Sequence, residues 1–220
     1  RKGYQSGFAT PLVLGNGLVT SEGDFWRRQR KLAQPAFHTK RIASYADTMV
    51  QLTAEAAADW QAGSERDIHH ELMRLTSRIA TRTLFSAELG DSDRMEALLT
   101  IMMEGLKGDF LSWEAFLPTA IPTPNRANLK AAVDAFDQRL LAIIEARRSD
   151  PTPHDDLLAM LMEARDDQDQ PMSADQLRDE VVTLYIAGHE TTANTLTWGW
   201  MLLSQNPAVR ARLEAEVDSV

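Results

Sequence analysis

The chain has 220 residues, a formal net charge of −9, 44% hydrophobic and 25% charged residues, and no cysteine. That balance is globular rather than disordered, the acidic excess argues against nucleic acid as a partner, and no apolar run reaches the eighteen residues of a membrane span. Disulfides and cysteine-bound metal are excluded for this chain. The sequence opens on Arg1 and ends on Val220 inside a helical pattern, so a single partial domain, residues 1–220 of something longer, is the expectation.

Residues 1–20 set short apolar pieces among Gly, Thr, Pro and Asn and close on Gly15-Asn16-Gly17-Leu18, which reads as a loop. Ser21 with Asp24 then has the spacing of a capping box, and Phe25 to Leu32 forms a helix that ends before Pro35. Arg27, Arg28, Arg30 and Lys31 crowd its C-terminal half, where the helix dipole favours cations. Trp26 and Arg30 lie one turn apart on a single face, where an indole N–H and a guanidinium can reach the same carboxylate. On the residues alone, this is also the pattern of a solvated basic face with one buried tryptophan.

Amphipathic helices are expected from Thr39 to Ala62, stopped by Gly63, from Ile68 to Phe85, and from Asp91 to Lys107. His69 and His70 have no further ligand at metal spacing and read as helix-surface residues. The methionines of the third helix, Met103 among them, suit a core or an adaptable substrate wall. Gly108 to Pro124 is an unusually apolar linker containing Phe110, Trp113, Phe116 and Ile121. A long helix from Asn125 to Arg148 is broken by Asp150-Pro151-Thr152-Pro153, a short helix runs to Ala164, and Arg165 to Met172 reads as a charged surface turn. No strand longer than a few residues is expected, so the fold class is mainly α.

The chain is organised around Ser173 to Gln205. Ser173 followed by Gln176 is a capping box and Asn206-Pro207 is a stop, which brackets a rod roughly 50 Å long. Its apolar residues run almost all the way round, as in a helix that passes through an interior. Amid them stands Ala187-Gly188-His189-Glu190-Thr191-Thr192, which helix propensity and burial both discourage. Ala187, Glu190 and Thr191 share one face, Gly188 removes bulk beside them, His189 points elsewhere, and the Thr191 hydroxyl can bond the Ala187 carbonyl one turn back. A close helix crossing through small residues is the plainer account of the same pattern. A zinc hydrolase of the H-E-x-x-H type is excluded, because the second histidine would be residue 193, which is Ala193.

The hexad resembles the oxygen-activating motif of the cytochrome P-450 family, the haem-thiolate monooxygenases, and W-R-R-Q-R followed by Gln34-Pro35-Ala36-Phe37 resembles that family's haem-propionate helix. The resemblance covers almost the whole chain and implies a partial P-450 fold around the 173–205 helix, without the N-terminal sheet region and the C-terminal haem-thiolate loop. It implies haem b with its thiolate ligand outside this chain, Trp26 and Arg30 at a propionate, and Ala187 and Gly188 over the porphyrin. Glu190 and Thr191 become the acid-alcohol pair that relays protons. Ala187, Thr192, Phe110 and Met103 become candidates for the substrate pocket, and Arg27, Arg28 and Lys31 candidates for a redox-partner rim. The partners implied are a hydrophobic small molecule, O2 and a ferredoxin or flavin reductase in a soluble, bacterial-type cytoplasmic enzyme. The alternative is a helical ligand-sensing or interaction domain without catalysis.

Overall fold

Helix α9, Ala174–Gln205, is set at its start by the expected capping box: Ser173 Oγ accepts the Gln176 N–H at 3.2 Å and Gln176 Oε1 accepts the Ser173 N–H at 2.9 Å. Around it the computed structural model, which describes residues 7–85, 92–111, 113–150, 152, 154 and 156–219, places nine further helices among the described residues. They are α1 (Ala9–Leu14), α2 (Gly23–Ala33), α3 (Thr39–Ser44), α4 (Ala46–Ala57), α5 (Ile68–Phe85), α6 (Ser92–Leu111), α7 (Pro124–Ser149), α8 (Leu157–Glu163) and α10 (Pro207–Val217), with short 3-10 turns at Gln34–Phe37 and Trp113–Phe116. The only β pairing among the described residues is an isolated bridge between Arg165 and Pro171. The class is mainly α, as the periodicities require.

The core gathers where α5, α6, α7 and α8 close on the first half of α9. Val13, Met95, Met102, Phe136, Leu140, Leu158, Leu161, Val181 and Val182 are completely buried there. Burying each large apolar side chain contributes roughly 1.5–3 kcal/mol. Helix α5 is the main partner of α9, and Tyr185 on α9 reaches across to it, its hydroxyl 2.7 Å from Ser77 Oγ. The join between α7 and α8 is ionic. Arg147 holds both oxygens of Asp156 at 2.7 and 2.6 Å and the Phe85 carbonyl at 2.9 Å, with the two side chains 4% and 2% exposed. Asp156 also caps α8 by accepting the Ala159 N–H at 2.9 Å.

Several local expectations need correction. Residues 9–14, expected as loop, form α1: Pro11 sits in the first turn, where its missing N–H costs nothing, and Gly15 at φ 52° ends the helix. No capping box forms at Ser21, because α2 starts from Glu22 with no side-chain cap, and Asp24 pairs with Arg27 at 2.6 Å instead. The helix expected from Thr39 to Ala62 is broken at Tyr45 and ends at Ala57, and Gly63 takes φ 83° only after a further turn. Helix α6 continues through Gly108 to Leu111, while its expected start, Asp91, lies outside the described residues. The Gly108–Pro124 linker is therefore shorter than expected and organised by one side chain. Arg126 donates to the carbonyls of Glu114, Leu117, Pro118 and Ile121 at 2.7–3.2 Å.

The expectation that α9 is buried all round holds only to Tyr185; one side opens at Ala187, and Ala193 is the last fully buried position. Beyond it Leu196, Trp198, Trp200 and Leu202 are 40–62% exposed, because the described helices that pack on α9 are spent on its first half.

Candidate oxygen-activation site

Along one stripe of α9, Glu180, Thr183, Ala187 and Thr191 succeed one another at steps of three, four and four residues. The stripe is closed by the loop 15–20 at its first two members and open at the last two. Ala187, Gly188, Thr191 and Thr192 are all exposed, and a Cβ placed on Gly188 would meet nothing within 4 Å. The open part is a smooth, small-residue surface against which a flat macrocycle can lie, so the residues present fit haem.

The Thr191 hydroxyl donates to the Ala187 carbonyl at 2.5 Å, the back-bond expected from the spacing, and leaves its lone pairs facing the open side. Thr195 and Thr197 repeat the arrangement on the Thr191 and Ala193 carbonyls at 2.8 Å each. Glu190, beside Thr191, is only partly exposed and points toward α6, where Lys107 Nζ lies 3.4 Å from Oε1. Burial opposes the charge on Lys107, yet its hydrogen bond to Glu104 and the attraction of Glu190 and Glu104 prevail and raise its pKa. Lys107 was not anticipated from sequence, although a lysine following Met102, Met103 and Leu106 is the signal that could have marked it. His189 turns away from the stripe, as expected, with Nε2 3.1 Å from the Met73 carbonyl and its ring against Tyr185. Burial lowers its pKa, so it sits there neutral.

On α2, Trp26 and Arg30 share a face, with the guanidinium 5.7 Å from the centre of the indole ring. The neighbouring cations are already engaged: Arg27 with Asp24 at 2.6 Å, Arg28 with Asp166 at 2.6 Å, and Lys31 with Asp167 at 2.5 Å. The expected turn at 165–172 is thus a lid of aspartates over the basic face. The Gln170 N–H and Arg28 hold the Asp166 carboxyl below its usual range. Among the pocket candidates, Thr192 and Ala187 lie on the open side, Met103 is 6% exposed within α6, and the Phe110 side chain lies outside the described residues. A cavity of about 420 Å³ between α6 and α7, lined by Phe8, Ile101, Gly105, Glu114 and Leu129 among others, includes no residue of the hexad.

Comparison with known proteins gives the family and the fold. The chain is 38% identical to cyclooctatin synthase of Streptomyces melanosporofaciens over 212 residues and 33% identical to pentalenene oxygenase of Streptomyces avermitilis over 213, in each case across 94% of this chain and 46% of the relative. It spans about half the length of the curated relatives it matches. Among solved structures, retinoic acid bound cyanobacterial CYP120A1 superposes with a TM-score of 0.82 at 26% identity, covering 97% of this chain and 47% of that one. The heme domain of cytochrome P450DA shares the fold, with a TM-score of 0.85 at 23% identity over 100% of this chain and 49% of that one. The cytochrome P450 family model matches residues 1–220, the whole length in which α2 and the α9 hexad stand in the order described, and the chain belongs to that family.

Proposed function

We propose that the chain forms the oxygen-side half of a haem-dependent monooxygenase acting on a hydrophobic small molecule. The observation that carries the reading is the exposed Ala187–Thr191 surface, with a hydroxyl and a carboxylate side by side on a helix whose preceding turns are committed to core. Bound there, haem b supplies the iron that takes up O2 and inserts one oxygen atom into substrate, with a ligand thiolate from outside this chain.

The chain's own residues bind, shape and deliver protons. Trp26 and Arg30 present an indole N–H and a guanidinium to a propionate. Ala187 and Gly188 keep the surface low, so that substrate and O2 fit beside it. Thr191, whose proton rests on the Ala187 carbonyl, accepts a hydrogen bond from water on the open side, and rotation about its Cα–Cβ bond turns the same hydroxyl into a donor. Glu190 passes protons toward Thr191 from the solvent side, and Lys107, 3.4 Å from Oε1, orients its carboxylate. Electrons come from a ferredoxin or flavin reductase. Because exposed ion pairs contribute only about 0–1 kcal/mol, an acidic partner can displace Asp24 and Asp167 from Arg27 and Lys31 at little cost. The names of similar proteins, pentalenene oxygenase and cyclooctat-9-en-7-ol 5-monooxygenase, favour an alkene or alkenol substrate.

The test is Thr191→Ala in the haem-loaded protein that contains this chain. Substrate binding should persist while product formed per NADPH falls, the balance leaving as hydrogen peroxide or water. Loss of one preorganised hydrogen bond at such a site costs about 2.7–4 kcal/mol, a drop of roughly 10²- to 10³-fold in the productive step. Uncoupling by Thr192→Ala with Thr191→Ala silent would move the acid-alcohol pair by one residue and sink the assignment.

A further inference from the structure

The loop that closes the first part of the α9 stripe is held by carboxylates. Asp179 Oδ2 accepts the Asn16 N–H at 2.7 Å, and Glu180 Oε2 accepts the Leu18 N–H at 3.1 Å. The approach is so close that only glycine fits. A Cβ on Gly15 would come within 2.1 Å of Asp179 Oδ1, and one on Gly17 within 2.2 Å of Thr183 Oγ1 and 2.8 Å of the Asp179 carbonyl. Glu180 is 1% exposed, yet an apolar side chain would pack as well on a helix face. What an apolar side chain could not do is satisfy the Leu18 N–H, and leaving a buried donor unpaired is costly. Immediately after Leu18 comes Val19, 41% exposed, in the loop that covers Thr183, one turn before Ala187 on the stripe.

We propose that Glu180, aided by Asp179, is a positioning residue: by gripping the backbone N–H groups of the Gly15–Thr20 loop, it sets the wall that this loop adds beside the Ala187–Thr191 surface. The grip is charge-dependent. Burial above all, with the like charge of Asp179 adding to it and the Leu18 N–H opposing it, pushes the Glu180 carboxyl up to about 7. The nearby cation is spent elsewhere: Arg178 gives its guanidinium to Asp137 on α7 at 2.7 Å and to the carbonyls of Val13 and Leu12 on α1, meeting Asp179 at 3.1 Å. Asp179, itself raised by burial, is the charged group facing Glu180 from α9. An ionised carboxylate holds an amide more tightly than a protonated one, so the loop tightens as pH rises through neutrality. What the loop borders rests on the haem-facing assignment above, whereas the clamp itself does not.

Amide hydrogen exchange decides it, measured on the haem-loaded protein with Glu180→Gln, Glu180→Leu and Asp179→Asn. Corrected for intrinsic rates, Leu18 protection should fall about tenfold in Glu180→Leu, where a bond to a charged group is lost, and less in Glu180→Gln, Asn16 protection should fall in Asp179→Asn, and α5 amides should stay protected. Wild-type protection of Leu18 should climb across pH 7, and the climb should be absent in Glu180→Gln, a variant that preserves shape even if Glu180→Leu fails to fold. With a neutral sesquiterpene hydrocarbon as probe, followed by the haem spin state, the dissociation constant should rise in Glu180→Gln while coupling stays intact. Unchanged Leu18 protection in Glu180→Gln at every pH would overturn the clamp. A clamp that behaves as described beside a silent Thr191→Ala would instead overturn the haem-facing reading alone.

Discussion

The two halves of α9 are equally apolar in sequence and opposite in environment. From Leu177 to Tyr185 the inward apolar residues are at most 2% exposed, whereas Trp198 and Leu202 are 62% and 54% exposed, and among the described residues the second half meets α10, His69 of α5 at Asn194 and Trp60, whose ring centre lies 6.0 Å from that of Trp200. The difference teaches that an all-round apolar pattern reports that a helix is covered without naming the cover. The first half finds its cover in α1, α5, α7 and α8. Contiguous exposed apolar surface of the second kind marks an interface, and in relatives of about twice this length there is further chain to fill it.

That contrast can be broken or sharpened by substitution. The largest effect is expected where the buried half is anchored: Asp156→Ala strands the Arg147 guanidinium in the core and uncaps α8, a loss of about 3–5 kcal/mol in urea unfolding. A loss under about 1 kcal/mol would mean that the α7–α8 join does not support the core. Next come paired truncations within α9 itself. Leu177→Ala, at a 1% exposed site, should cost about 2–5 kcal/mol, and Leu202→Ala, at a 54% exposed one, should stay within about 0.5 kcal/mol in this chain. Equal costs would erase the distinction between the halves.

The smallest effect is a pH dependence confined to the buried half. The Glu180 carboxyl has an ordinary value of 4.5 and about 7 when folded, so between these values the folded chain keeps a proton that the unfolded chain has released. Stability should therefore decline as pH rises from about 4.5 to 7 and level off above, by something on the order of 1–3 kcal/mol, and Glu180→Gln should flatten the decline. A decline that persists unchanged in Glu180→Gln would show that another group carries it.

Helix α9 was legible from cap to cap because a capping box and a following Asn-Pro bracket it, and α5 because its periodic run holds no glycine, local signals that tertiary contacts had no reason to overrule. Helix α1 was not, since Thr-Pro and flanking glycines look like loop when the surface they pack on is made by α6, α7 and α9, far along the chain. Gly108 looked like a stop and is not, the helix continuing because its packing offsets about 1 kcal/mol of glycine propensity. In the candidate site, the back-bond of Thr191 and the outward turn of His189 follow from spacing alone. The links from Glu190 to Lys107 and from Glu180 to Leu18 join distant segments, and a single sequence carries no record of such pairings.

The contacts of α9 with the N-terminal loop bear on the order in which the molecule can be made. Arg178 bonds the Val13 carbonyl across 165 residues, and Asp179 bonds the Asn16 amide across 163. At a synthesis rate of about 5–20 residues per second, α1 and its two glycines wait roughly ten to thirty seconds on the ribosome before the carboxylates that shape them exist. Until then Val13 and Leu14 have only α6 and α7 to pack on, and closing so long a loop carries an entropic cost that those helices reduce by docking first. The loop beside this stripe of α9 is thus among the later parts of the described chain to take form.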